Sequence, residues 1–225
     1  MEFRFFEIYR NPEYLWLLAE GAAFSAGLTI AAAALGFAFA LMLAGARYAG
    51  TPVLAQISTG YVEFTRNTPL IVQLFLVTFG LPQLFGYQWP FWAHALLALT
   101  LNFSAYFAEI LRAGFVSVGS GQVEAARALG LAPTRIFFKI VFPQATAKMY
   151  PALGSQFIFL FLTTGVISEI GVTDLTHAGV FIDSRTFRSF EVFVTLTVIY
   201  IALSLSFKLT LALAQRRLFP WHSAP

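Results

Sequence analysis

Long runs without charged residues divide this chain into candidate membrane spans. Twenty-six uncharged residues lie between Glu20 and Arg47, and 42 lie between Arg66 and Glu109. The second run is too long for one crossing, because a helix of about 20 residues spans roughly 30 Å of hydrocarbon. A segment with Pro, Gly, Tyr and Trp at residues 81–90 interrupts it, as expected for a turn at the headgroup level. With two further runs nearer the C-terminus, the pattern predicts an all-α integral membrane protein. It forms a single domain, residues 1–225, with spans at about 22–45, 68–84, 91–111, 149–169 and 191–215.

The connections between these spans differ in polarity. Residues 50–66 are predicted to form either a short helix along the inner membrane surface or the buried start of the second span. Residues 115–147 have the pattern of two short, water-exposed helices. Ser120 can cap the first, Gly130 can take the left-handed conformation that ends it, and Pro133 suits the first turn of the second. A rigid helix with a face of small residues suits docking into a groove on another protein. An ordinary amphipathic connector fits the same pattern.

The composition supports a membrane protein and argues against a soluble globular protein, a nucleic-acid-binding protein and a disulfide-rich or thiolate-metal protein. Hydrophobic residues make up 58% of the chain, charged residues 11%, and the mean hydropathy is +0.74. This leaves too little polar surface to cover a soluble globule. The net charge is only +3 and the charges are scattered among apolar blocks, so nucleic acid is not an expected partner. Cysteine is absent, which excludes a disulfide framework and a thiolate metal site, and no metal is expected.

The distribution of Lys and Arg predicts the orientation of the chain. If the N-terminus lies outside, ten of these residues fall in the inner segments. The outer segments then hold Arg4, Arg10, Arg185 and Arg188. Because Lys and Arg are retained on the cytoplasmic side, this bias predicts a periplasmic N-terminus and a cytoplasmic C-terminus. Residues 115–147 are then cytoplasmic.

One motif in the cytoplasmic segment is defined by six positions: Glu124, Ala125, Ala126, Gly130, Ile140 and Pro143. With Phe142 in place of the usual Leu, their spacing resembles the EAA loop of bacterial ABC importer permeases. Residues 64–75, 105–114 and 184–188 resemble segments of the polar amino acid permease family, which includes histidine, glutamine, glutamate, arginine and opine types. Since these motifs extend over roughly residues 20–217, the chain is identified as a member of that family.

The resemblance implies a type I ABC importer permease fold and a multi-pass location in the bacterial inner membrane. It also implies four kinds of partner: a dimer of ABC ATPases, a second permease that is identical or paralogous, a periplasmic solute-binding protein, and membrane lipid. The transported substrate would be a polar amino acid or an opine-like relative. Residues 124–130 would be the helix that couples the permease to the ATPase.

The chain itself is not expected to be an enzyme or to hold a cofactor. Its three lysines, Lys139, Lys148 and Lys208, all follow residues other than glycine, so the Gly-Lys pair of a phosphate-binding loop is absent. ATP and Mg²⁺ would therefore be bound, and ATP hydrolysed, by the partner ATPase.

The fourth span departs from the family pattern at two positions. Family members often carry Lys-Asp followed by small hydroxyl residues there, lining the substrate path, whereas this chain has Leu162 and Thr163. Three alternatives follow. The chain binds substrate with Gln156, Thr163 and Thr164; it is the half of a heterodimer that binds none; or the transporter relies on its binding protein for selection. The amide of Gln156 favours a polar or amide-bearing substrate.

Other polar groups within the spans extend the candidate substrate path. An amide in hydrocarbon needs a partner or water, so Asn102 and Gln156 should face the pathway or a neighbouring span. Ionisable groups inside a bilayer are functional candidates. Glu169, at the outer end of the fourth span, either lines the outer mouth or faces headgroups. The candidate path comprises Gln73, Asn102, Gln156, Thr163, Thr164 and Glu169.

Some charged residues are assigned structural roles instead. Glu109 lies one helical turn from Arg112 at the inner end of the third span, where an ion pair is the favoured interpretation. Arg66 is expected either to snorkel to the inner membrane surface or to fix the turn preceding Thr68 and Pro69 through its donors, and the structural role is favoured. Asn67 stands there in place of the family's usual Gly, and Asn tolerates a left-handed backbone almost as well.

Two other functions fit a multi-span protein. A channel or secondary transporter for a small polar solute needs a selectivity ring or a buried ion relay, for which only isolated acidic residues are available. A membrane anchor or scaffold would carry out no transport.

Overall fold

The computed structural model describes residues 3–220, so both ends of the predicted domain 1–225 lie outside the described residues. Within this range the chain forms helices and no β-strand. The nine helices of the described chain are α1 (Phe6–Tyr9), α2 (Pro12–Tyr48), α3 (Pro52–Arg66), α4 (Leu70–Phe85), α5 (Phe91–Val116), α6 (Ser120–Ala128), α7 (Pro133–Ile170), α8 (Leu175–Thr186) and α9 (Ser189–Leu218). Helix α4 contains a π-helical turn at Leu76–Gly80, and α7 contains one at Phe137–Val141 and ends in a 3₁₀ turn at Thr164–Ile170.

Four of these helices, α2, α5, α7 and α9, are long and apolar enough to cross a membrane. Helices α3 and α4 meet at an angle of 107° and pass the same test only as a pair. The described chain therefore has four spans, or five if the bent pair counts as one broken span. Two helices extend well beyond the predicted spans. Helix α2 begins at Pro12, with the Asn11 side chain accepting a hydrogen bond from the Glu13 amide at 2.9 Å, and α7 already begins at Pro133. Charged residues mark the membrane boundary, but they do not end a helix.

Residues 50–66 fold as a separate amphipathic helix, α3. Its buried side holds Ser58, Val62 and Thr65, and the Ser58 hydroxyl donates to the Leu43 carbonyl of α2 at 3.0 Å. The 107° bend at its end excludes a straight continuation into the second span. The opposite side of α3 exposes large apolar residues such as Val53, which suits contact with lipid or a partner.

Helix α5 lies at the centre of the bundle and packs most extensively against α2. Small residues on both helices allow the backbones to approach closely, because lipid supplies no hydrophobic drive for helix association. Gly36 of α2 illustrates this packing, since a Cβ atom there would lie 3.3 Å from the Thr100 carbonyl oxygen of α5. Ala32, Ala40 and Ala105 are completely buried in the same core.

The C-terminal ends of α2 and α5 are joined by charged side chains. Arg47 of α2 donates to Glu109 Oε2 at 2.9 Å, and Arg112 contacts Glu109 Oε1 at 2.5 Å. The predicted ion pair between Glu109 and Arg112 is confirmed. The contribution of Arg47, 62 positions away in sequence, was not predicted.

The N-terminal half of α2 packs against the loop that precedes α8. Ser25 Oγ accepts a hydrogen bond from the Leu175 amide at 3.2 Å, and Gly21 touches the backbone of the same loop. A Cβ atom on Gly21 would lie 2.8 Å from the Asp174 carbonyl oxygen and 2.9 Å from Leu175 Cα. These are backbone atoms, so they cannot move aside as a flexible side chain would.

We therefore expect Gly21→Ala to destabilise the protein by about 1–3 kcal/mol, the usual cost of overpacking a tight contact. Gly27→Ala, on the same helix, is the matched control, because no atom lies within 4 Å of its added Cβ. Alanine there should preserve or raise stability through its better helix propensity. Thermal unfolding of the detergent-purified variants measures both effects, and equal melting temperatures would contradict the packing assigned to Gly21.

Candidate functional site

The predicted coupling segment forms a short helix, α6, with a well-defined end. Gly130 adopts a φ of 74°. Its amide donates to the Arg127 carbonyl at 2.9 Å, and the Leu131 amide donates to the Ala126 carbonyl at 3.1 Å. These two bonds form a Schellman motif, which satisfies the last carbonyls of the helix. The left-handed conformation predicted for Gly130 is confirmed.

Of the two predictions for the beginnings of α6 and α7, one was wrong and one was right. Ser120 is the first residue of α6 and not its cap; Gly119 precedes it and no side chain caps the helix. A glycine in an extended conformation can open a helix without a side-chain oxygen, so the predicted role of Ser120 was wrong. Pro133 is the first residue of α7, as predicted, with Ala132 at the N-cap position.

The six motif residues divide between an exposed face and an anchoring face. Glu124, Ala125 and Gly130 are exposed. Ala126 is buried in the apolar core, while Ile140 and Pro143 at the start of α7 are half-buried. Next to Gly130, Leu129 is 81% exposed, which leaves a large apolar side chain at the tip of the helix. The motif therefore presents a small-residue surface with one projecting apolar group.

Helix α6 is fastened to α7 by polar contacts on either side of it. The amide of Gln144 donates to Gln122 Oε1 at 2.6 Å, and Lys148 Nζ donates to the Ser117 carbonyl at 2.9 Å. Together with the packing of Ala126 in the core, these bonds attach α6 to the N-terminal part of α7.

Two of the candidate path residues, Gln73 and Asn102, are bonded to each other. Asn102 Nδ2 of α5 donates to Gln73 Oε1 of α4 at 3.0 Å. Gln73 Nε2 donates in turn to the Thr65 carbonyl at 2.8 Å and the Thr68 carbonyl at 3.1 Å. Asn102 thus faces a neighbouring helix, one of the two predicted surroundings. Gln73 ties the bend between α3 and α4 to the bundle.

The bend, α5 and α7 together enclose a polar pocket of about 490 Å³. It is lined by Arg66 and Thr68 from the bend, Asn102 and Tyr106 from α5, and Thr163 from α7. The pocket brings Asn102 and Thr163 to one site, although they are far apart in sequence. The Arg66 guanidinium carbon lies 5.6 Å from the centroid of the Tyr106 ring, within range of a cation–π interaction.

Arg66 does not fix the turn as interpreted from the sequence, since its guanidinium donates no hydrogen bond to any residue between 3 and 220. The turn is held by its neighbours instead. Asn67 Nδ2 donates to the Glu63 carbonyl at 2.7 Å, and Thr68 Oγ1 donates to the Phe64 carbonyl at 2.8 Å. Asn67 has a φ of −97°, so this turn does not require the left-handed backbone that Gly would favour. Arg66 is left available at the pocket.

The remaining path candidates lie in different surroundings. Gln156 is two helical turns before Thr163 on the same side of α7, and its buried Nε2 has no hydrogen-bond partner in the described chain. Thr164 is completely buried and its hydroxyl donates to the Phe161 carbonyl at 2.7 Å. Glu169 is exposed and lies outside the pocket. The structure thus assembles Asn102 and Thr163, with Gln73 behind them, and leaves Thr164 and Glu169 elsewhere.

Comparison with known proteins identifies relatives along most of the chain. A family model described as "Binding-protein-dependent transport system inner membrane component" matches residues 36–220. The probable glutamine ABC transporter permease protein GlnP of Bacillus subtilis is 36% identical over 211 residues, covering 92% of this chain and 94% of the relative. The octopine transport system permease protein OccM of Rhizobium meliloti is 34% identical over 223 residues, covering 93% and 91%.

Solved structures show the same fold. The crystal structure of an amino acid ABC transporter with histidines matches with a TM-score of 0.88 and 35% identity, over 96% of this chain and 100% of that chain. An inward-facing MetNI methionine ABC transporter matches with a TM-score of 0.80 at 20% identity, over 92% and 99%, which bears on the fold alone. The predicted type I ABC importer permease fold is confirmed. The family match covers well over half of the sequence, and the chain belongs to the binding-protein-dependent transport system inner membrane components, the permease subunits of ABC importers.

Proposed function

We propose that this permease moves a polar amino acid, or an opine-like relative, past the pocket formed by Arg66, Asn102 and Thr163. The pocket combines a guanidinium, an amide and hydroxyl groups with the aromatic surface of Tyr106 and Phe159. A free amino acid carries a carboxylate, which suits the fork of the Arg66 guanidinium, a group that forms no ion pair within residues 3–220. Relatives named for glutamine and for octopine transport support the same substrate class.

Of the three alternatives for the missing Lys-Asp pair, we favour substrate binding by this chain. Thr163 lines the pocket, whereas Leu162 lies outside it and is half exposed. The unpartnered amide of Gln156, on the Thr163 side of α7, adds a polar group on the same line along the helix. A substrate with several polar groups could form hydrogen bonds with Thr163 and Gln156 one after the other as it moves along α7.

The family acts as a permease subunit of a multi-pass inner-membrane transporter, and ATP is hydrolysed by a separate subunit. In more detail, we propose that α6 docks into a groove on one half of an ATPase dimer, with Leu129 as its apolar anchor. A periplasmic binding protein would meet the opposite side of the membrane, where we place the N-terminus. The second permease is either a copy of this chain or a paralogue. Channel and secondary-transporter functions do not fit the family.

The substrate pocket is tested by Thr163→Val in the transporter reconstituted with its ATPase, second permease and binding protein. The hydroxyl of Thr163 donates to the Phe159 carbonyl at 2.6 Å, and Thr210 of α9 makes the same kind of bond to the Ser206 carbonyl at 2.8 Å outside the pocket. Thr210→Val is therefore the matched control. Loss of one substrate hydrogen bond, worth about 1 kcal/mol, should lower ATP-driven uptake about fivefold for Thr163→Val alone.

A panel of amino acids is first tested for affinity to the binding protein. Uptake of the radiolabelled amino acids that bind is then measured at a saturating concentration of that protein. If both valine variants transport at the same rate, the pocket is not on the substrate path, although ATP-driven import by this assembly would stand.

A further inference from the structure

A second pocket, of about 330 Å³, lies at the outer end of α2 and is lined by acidic side chains. Glu13 and Glu20 contribute from α2, Asp174 from the loop before α8, and His177 from the first turn of α8. Apolar walls are supplied by residues such as Phe181. None of these residues belongs to the coupling helix or to the pocket of Arg66.

Asp174 forms the buried base of this pocket. Its side chain is fully buried, and Oδ1 accepts a hydrogen bond from the His177 amide at 2.8 Å. Its second oxygen, Oδ2, is buried with no hydrogen-bond partner anywhere in residues 3–220. Burial raises the pKa of the Asp174 carboxyl to about 6. A buried carboxylate oxygen without a donor is costly, so an N–H group that reached this atom would stabilise the carboxylate.

The acids of this pocket differ from other acids on the same side of the protein. Glu7 and Glu191 both contact Arg188, at 3.5 Å and 3.9 Å. Glu13, Glu20 and Asp174 make no ion pair with any described residue. Arg185 is the nearby cation, and its guanidinium carbon lies 5.2 Å from the Phe181 ring centroid instead.

Acidic residues also outnumber basic residues over all the segments on this side of the membrane. With the N-terminus outside, the outer segments carry eight acidic residues and four arginines. The inner segments hold the ten remaining Lys and Arg against three acids. The outer surface is therefore negative, and long-range attraction favours a basic partner surface.

We propose that this pocket receives a lysine or arginine side chain of the periplasmic binding protein when it docks. The inference rests on the proposed orientation and on the binding protein as a partner. The ammonium or guanidinium would supply the donor that Asp174 Oδ2 lacks and would pair with Glu13 and Glu20. Leu17 and Phe181 would cover the methylene stem of the side chain.

The height of the pocket favours a protein over a lipid headgroup. Glu20 directly precedes the first long uncharged run, so it marks the outer membrane boundary. Glu13 lies seven residues earlier on the same helix, which places it about 10 Å further out at 1.5 Å per residue. A lipid ammonium at the boundary reaches Glu20 alone, whereas a side chain entering from the periplasm passes Glu13 and Glu20 on its way to Asp174.

The test uses the full transporter in vesicles and the binding protein that stimulates its wild-type ATPase activity. The triple variant Glu13→Gln, Glu20→Gln, Asp174→Asn should raise the half-stimulating concentration of binding protein at least about tenfold, with the maximal rate unchanged. Asp174→Asn keeps a good helix cap, and Glu13→Gln with Glu20→Gln alone provides a second variant that leaves the buried position intact. Asp183→Asn removes an outer charge outside the pocket and serves as the control.

Rescue by charge exchange would identify the entering side chain. Glu13→Lys with Glu20→Lys should be restored by changing one basic surface residue of the binding protein to Glu. If the triple variant behaves as Asp183→Asn does, the proposal is overturned. It is also overturned if the shift occurs only in vesicles that contain phosphatidylethanolamine, because the occupant is then a lipid headgroup. If no binding protein stimulates even the wild-type assembly, the proposed function itself fails.

Discussion

Replacing Gly130 by valine should reduce ATP-driven uptake by more than about tenfold while the protein still inserts into the membrane. Gly130 has a φ of 74°, a conformation that costs a residue with a Cβ about 1–2 kcal/mol and a β-branched residue more. The strain falls on the Schellman motif that ends α6. Valine would favour a different backbone there, and Leu129 and the face of Ala125 would then point away from the ATPase groove that we propose. Gly130→Asn, which tolerates the left-handed region, should retain much of the activity.

Gly86 offers a matched control for this substitution. It also has a positive φ, 69°, and neither glycine has an atom within 4 Å of an added Cβ. Gly86→Val therefore introduces the same backbone strain in the turn after α4, far along the chain from α6. Uptake and nucleotide hydrolysis are measured in reconstituted vesicles, with membrane insertion checked by labelling. Equal activity of the two valine variants would argue against α6 as the coupling element.

Helix α6 was the part of the molecule that could be predicted best from the sequence. Its end depends on Gly130 and the next helix on Pro133, and both residues restrict or permit backbone angles through their own covalent structure. Local chemistry of this kind needs no knowledge of tertiary contacts. Ser120 was misplaced because a cap can be supplied by glycine as well as by a hydroxyl, which leaves the first residue of the helix ambiguous by one position.

Five membrane spans were predicted, whereas the described chain has four long apolar helices and a fifth span only if the bent pair α3 and α4 is counted as one. The ends of the helices and the bend were not predicted. Charge distribution gives the hydrocarbon boundary, whereas α2 and α7 continue as helices through the boundary into water. The break between α3 and α4 is stabilised by the side chains of Asn67 and Thr68, which donate to backbone carbonyls four residues earlier. Gln73 of α4 also donates to the Thr65 carbonyl of α3. None of these contacts follows from hydropathy.

The candidate substrate path shows most clearly what could not be predicted from the sequence. Thr163 and Thr164 are adjacent and chemically identical, yet the first lines the pocket and the second is buried in the core. Which of the two faces the pocket depends on the rotation of α7 about its axis, set by packing against α5 and α9. The acidic pocket at Asp174 was missed for a similar reason, because α2 and α8 are brought together by a contact between residues more than 150 positions apart.

Loss of the Glu109 carboxylate should produce the largest loss of stability among the charged residues described. Glu109 contacts Arg47 and Arg112 at once, with 25% of its side chain exposed and 16% of that of Arg47. Glu109→Gln leaves two guanidiniums close together without a counter-charge near the C-terminal ends of α2 and α5. We expect a loss of about 1–3 kcal/mol, below the cost of breaking a fully buried pair because water reaches this site.

Glu63→Gln is the matched control, since Glu63 is an exposed acid of α3 that forms no ion pair within residues 3–220. Thermal unfolding in detergent should show a lower midpoint for Glu109→Gln alone. Adding Arg47→Gln to Glu109→Gln should recover part of the loss, because it removes the repulsion between the two arginines, and the double-mutant cycle isolates that interaction. An additive double variant would mean that Arg47 and Glu109 do not act together. Because α6 follows α5 after a short connection, the pairing of Arg47 and Glu109 would also hold the end of the bundle from which α6 extends.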